Sequence, residues 1–132
     1  MDFQLTAEQQ AIRYVCRDFA REVVAPAAEE LDRNHKFGYD IVRQMGELGL
    51  FGLPFSEEYG GAGGDFLSLC LAIEEISPAD TGVGITLEAA VGLGAAASRD
   101  LGRQAQKEKG PPAQLRCARR GDCGLQSDGG GL

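Results

Sequence analysis

Residues 6–31 read TAEQQAIRYVCRDFAREVVAPAAEEL, and the spacing of their apolar positions sets the fold class. Ile12, Val15, Cys16, Phe19, Val23, Ala27 and Leu31 step mostly by three and four, which gathers them into one stripe of an α-helix. The other face carries Arg13, Arg17 and Arg21 together with Asp18, Glu22 and Glu29. Thr6 is placed to cap the N-terminus, with Gln9 three residues on in the capping-box position. Pro26 lacks an amide hydrogen and is expected to kink the helix or split it in two.

The same period continues on the C-terminal side. Phe37–Gly38 interrupts the pattern, and a second helix follows with Ile41, Val42, Met45 and Leu48 on one side. Gly49 is suited to end it in the left-handed conformation. Residues 50–65, LFGLPFSEEYGGAGGD, read as an ordered loop that packs on the body, because its first half is rich in apolar and aromatic residues. From Phe66 to Ile76 the chain is apolar almost all round, which predicts a helix buried on most sides. Ser77–Pro78 stops it, and Asp80 or Thr81 caps a further helix that runs to about Ser98. That last helix is built from glycines and alanines. Each interior Gly costs about 1 kcal/mol relative to Ala, so tertiary contact must stabilise the segment, and its small side chains admit another helix or a flat ligand at close range. Arg103 to Lys109 can add a short exposed helix. No segment alternates with a strand period, so the body is all-α, a helical bundle.

Composition divides the 132 residues unequally. Residues 1–100 hold 17 acids and 7 bases, whereas residues 101–132 hold 3 acids and 6 bases. All nine aromatics lie at or before Phe66, so the tail has little with which to build a core. The formal net charge of −7 argues against a general nucleic-acid partner, which needs an excess of Lys and Arg. The N-terminus, MDFQLTAEQQ, lacks a basic stretch followed by an apolar run, so no signal peptide is expected. Cys16, Cys70, Cys117 and Cys123 form no CxxC pair, which fits free thiols in a reducing compartment rather than a zinc site. Between Gly82 and Ser98 the only charge is Glu88, yet the segment is too weakly hydrophobic for a membrane span.

Candidate chemistry is sparse. The cluster Gly60, Gly61, Gly63, Gly64 could cradle a phosphate, but it has no GK[ST], and Phe66 stands where the GxGxxG series needs its last glycine. A structural turn is the simpler reading, with the loop still free to line a pocket. Glu88 could touch a ligand or act as a base; an arginine partner or a solvent-facing position is simpler. Glu74 and Glu75 are adjacent on a helix and so point in different directions. His35, the one histidine, suits a surface position near a helix end. Cys16 and Cys70 read as core thiols, and Cys117 and Cys123 as thiols of an unstructured tail.

Several motifs, taken in order, resemble one family. Residues 46–63, GELGLFGLPFSEEYGGAG, resemble the EYGGxG loop that follows the second long helix in the N-terminal domain of acyl-CoA dehydrogenases. Residues 74–84, EEISPADTGVG, and 92–109, GLGAAASRDLGRQAQKEK, are similar to that family's next turn and to its QKxK ending. The opening from Leu5 to Arg33 is similar as well. The resemblance covers about residues 3–109. It implies one helical domain of a three-domain flavoenzyme that removes hydrogens from Cα and Cβ of an acyl-CoA thioester, passing the β-hydride to FAD and electrons onward to an electron-transfer acceptor. The glutamate base and most FAD contacts are expected in the later domains, so no catalytic residue is assigned in this chain. The helix at about 80–98 is expected to wall the acyl cavity through Thr86, Ala89, Ala90 and Leu93. The location implied is the bacterial cytoplasm or the mitochondrial matrix.

Residues 110–132, GPPAQLRCARRGDCGLQSDGGGL, do not resemble the family as written. Back-translated and read from the second base of each codon, Cys117 onward allows the string AREGAIAGFSLTEAG, which resembles the missing family segment. The expectation is therefore a domain at 1–109 and an irregular, out-of-frame tail at 110–132. A truncated product of this kind would be inactive and would self-associate through an apolar face on Phe66–Ile76 or Gly82–Ser98. The alternative is a stand-alone helical interaction module without catalysis, with a low-complexity tail of its own.

Overall fold

A computed structural model of the chain describes residues 3–95. The segment expected at 103–109, the tail with Cys117 and Cys123, and the end of the small-residue helix lie outside the described residues.

Helix α1 spans Ala7–Phe19 and opens on the expected capping box. Gln9 N–H donates to Thr6 Oγ1 at 3.2 Å, and Thr6 N–H donates to Gln9 Oε1 at 3.0 Å. Pro26 does split the helix, by a specific device. A π-helical turn, Ala20–Val24, follows α1 directly, and Ala25 N–H bonds Ala20 O, five residues back. The extra residue puts Pro26 in the first turn of α2, Ala25–Arg33, where a missing N–H leaves no helical bond unmade. The shift of phase also revises the stripe. Cys16 and Phe19 are buried and Ile12, Val23, Ala27 and Leu31 pack against the core, but Ala20 and Val24 are buried as well, while Val15 is 48% exposed. Val15 lies about 100° round the helix from Cys16, and the axis that runs through Ile12, Cys16 and Ala20 leaves it on the flank.

Helix α3, Tyr39–Glu47, buries Ile41, Val42 and Met45. Leu48 was expected beside them and is half exposed. It is the last residue before Gly49, whose φ of +77° turns the chain away from the helix axis. The segment after it folds inward: Leu50, Phe51, Leu53 and Phe55 are all buried around a 3-10 turn, Leu50–Gly52, so the apolar half of the loop belongs to the core.

Helix α4, Phe66–Ile76, packs on α1 through Leu69, Ala72 and Ile76. It is less enclosed than its composition predicts, since Phe66, Leu67 and Cys70 are exposed. α1 and α5 cover the faces that bear Leu69, Leu71, Ala72 and Ile76 and leave the face with Leu67 and Cys70 open. Helix α5, Thr81–Glu88, is capped by Asp80, whose Oδ1 accepts from Val83 N–H at 3.1 Å. A second π-helical turn, Ala89–Ala95, continues it. Among the described residues there is no strand, and no helix is long and apolar enough to cross a membrane.

Candidate functional site

Position α5 first. A Cβ added at Gly84 would sit 2.2 Å from Ser77 Oγ, so the absence of a side chain there lets α5 lie close against the end of α4. That approach aims Val83, Leu87 and Val91 into the core. The four residues expected on the cavity wall then separate. Thr86 is half buried and lines a groove of about 240 Å³ that has Leu31, Phe37 and Val42 among its apolar lining and Asp32, Lys36 and Asp80 among its charged lining. Its hydroxyl donates to Gly82 O at 2.8 Å. Ala90 packs against the core, Ala89 is half buried, and Leu93 is 68% exposed. Thr86 is the one member of the four in this groove.

Glu88 stands where α5 passes into the π turn. It is half buried, and its carboxylate occupies the space beside Gly92, where a Cβ would come within 2.7 Å of Oε1. Among the described residues it has no ion pair, so the arginine partner considered for it is not among them.

The glycine cluster is a turn rather than a cradle. Gly61 N–H donates to Ser56 O, Ala62 N–H to Gly52 O and Gly63 N–H to Phe55 O, at 3.0, 2.9 and 2.8 Å. Amides committed to the chain's own carbonyls cannot also hold a phosphate. Gly61 is required by contact, since a Cβ there would lie 2.1 Å from Phe55 O. Residues of this loop, with Gly46, Gly49, Phe51 and Gly52, line only a small depression of about 130 Å³. These residues therefore do not form a phosphate site.

The strongest electrostatic feature escaped the sequence reading. Glu75 on α4 accepts from Arg13 Nε at 2.6 Å and from Arg17 Nε and NH2 at 2.9 and 2.8 Å. The Arg17 and Arg13 hydrogen bonds hold its carboxyl down at about 2, against partial burial that pushes it up. A carboxylate so stabilised is a poor base, and Glu74 beside it faces outward, so the two form no acid/base pair. Arg13 and Arg17 one turn apart on α1 were the available signal. A second polar tie joins the same helices: Gln9 Nε2 donates to Asp65 Oδ2 at 2.8 Å, while Asp65 Oδ1 caps α4 through Ser68 N–H and Oγ, both at 2.7 Å. The Ser68 and Gln9 hydrogen bonds lower the Asp65 pKa.

Cys16 is fully buried, and burial together with the charge of Glu75 pushes its thiol up to about 12. Cys70, expected in the core, is on the surface. His35 is exposed and adopts a φ of +51° just past α2, where Lys36 N–H donates to Leu31 O at 2.9 Å and closes the helix end.

Residues 6–116 match the family described as acyl-CoA dehydrogenase, N-terminal domain. The chain belongs to the acyl-CoA dehydrogenase family. A probable acyl-CoA dehydrogenase of Bacillus subtilis, YngJ, is 46% identical over 108 residues, which is 82% of this chain and 28% of that protein. The butyryl-CoA dehydrogenase structure from Megasphaera elsdenii superposes with a TM-score of 0.81 at 39% identity, covering 87% of this chain and 31% of that one. An acyl-CoA dehydrogenase of Bacillus anthracis solved with FAD superposes at 0.77 with 35% identity, covering 85% and 19%. The chain thus spans less than a third of the length of each relative and aligns with the acyl-CoA dehydrogenase N-terminal helical domain. Family members bind FAD, and matches include both bacterial and mitochondrial proteins.

Proposed function

We propose that this chain supplies the helical N-terminal wall of an FAD-dependent acyl-CoA dehydrogenase and performs no dehydrogenation by itself. The observation that carries the reading is the alignment of most of the chain with less than a third of its relatives' length. In the reaction implied, FAD, when bound, would supply the hydride acceptor, and neither its contacts nor the α-proton base is assigned to a described residue. Two described carboxylates are engaged in holding the helices: Glu75 with Arg13 and Arg17, and Asp65 at the cap of α4. Thr86, Ala89, Ala90 and Leu93 are assigned to the acyl wall, because small side chains on α5 and its π turn leave room for a slender chain beside them. The acyl-CoA substrate and the electron-transfer acceptor belong to this proposal, as does a bacterial cytoplasmic or mitochondrial-matrix location.

The domain reading is a family unit at 1–109 and an out-of-frame tail at 110–132. The family match ends at Arg116, next to Cys117, from which the shifted frame allows the family-like string. Sequencing the gene in all frames tests this directly: the next frame should continue into family sequence, and a frame that does not would overturn it.

The purified chain, mixed with FAD and a short-chain acyl-CoA, should retain no flavin absorbance after gel filtration and should reduce no electron acceptor. Flavin retention with thioester oxidation would overturn the proposal. Self-association through the exposed apolar residues Leu67, Cys70 and Ile85 is expected in the same gel filtration. A monodisperse monomer would count against it.

A further inference from the structure

We draw no further inference here: the strongest candidate, the exposed apolar face that Leu67 and Cys70 present on α4, carries nothing because nothing in the structure shows what covers it.

Discussion

The seam between α1 and α4 and the packing of α5 on α4 solve the same problem by opposite means. At the seam, side chains are long and charged at the edge, and the helices are joined by Gln9–Asp65 at one end and Arg13–Glu75–Arg17 further along. Between these ties, Cys16, Leu69 and Ala72 fill the apolar contact. At α5 the side-chain tie to the end of α4 is a long neutral hydrogen bond, Thr81 Oγ1 to Ser77 O at 3.4 Å, with no ion pair among the described residues. The fit is mainly steric: Gly84 lets the backbone approach Ser77, and Val83, Leu87 and Val91 enter the core from a helix rich in glycine and alanine. A polar seam fixes register through directional bonds, whereas a small-residue contact fixes distance alone.

The largest expected effect tests the steric half. Gly84→Val would drive branched carbons into Ser77 and should destabilise by about 3 kcal/mol in urea unfolding, as overpacked contacts do. A loss under about 1 kcal/mol would show that α5 does not lie so close.

The polar half is tested by Glu75→Gln, which removes a charge-assisted acceptor shared by two arginines and should cost about 1–3 kcal/mol. Its pH signature is sharper. The folded-state pKa of Glu75, about 2, lies below the ordinary value of 4.5, so the folded state holds the carboxylate more strongly than the unfolded chain does. That contribution is present above about pH 4.5 and is lost as pH falls toward 2. Thermal unfolding of the native chain and of Glu75→Gln should therefore converge across this window. Curves that stay parallel would remove the ion triad as a source of stability.

A smaller effect separates local from tertiary stabilisation at the seam. Thr6→Ala deletes one half of the capping box and should cost about 1 kcal/mol without altering the Glu75 pH signature. A changed signature would mean that the cap also sets the register of α1 on α4.

The least energetic test concerns the two described cysteines. Cys70 should be alkylated in the native chain, and Cys16 only on unfolding, as read by peptide mapping after brief iodoacetamide treatment. Equal labelling would mean that the seam opens readily.

Where a feature depends on neighbours within one turn, it was legible. Thr6 and Gln9, Gly49, Asp80 and the break at Pro26 all act over three to five residues, and the structure places each in the expected role. The family, too, was legible, because the EYGGxG loop and its flanking motifs keep their order along the chain. Thr86, Ala89, Ala90 and Leu93, expected on the acyl wall, straddle the passage from α5 into the π turn at Ala89, and Thr86 lines the groove beside Leu31 and Val42.

Composition marked Phe66–Ile76 and both early cysteines for the interior, and that rule fails where the number of covering helices is limited. Leu67 and Cys70 are exposed because they lie on the face of α4 that α1 and α5 leave open, while Cys16 is fully buried because it faces α4. The ion triad is likewise invisible to periodicity, since Arg17 and Glu75 are 58 residues apart. The amino-acid order by itself determined the helices, their caps, the glycine turn and the family. Tertiary packing decided which faces are covered and which charges meet, because burial and long-range pairing depend on what lies opposite in space.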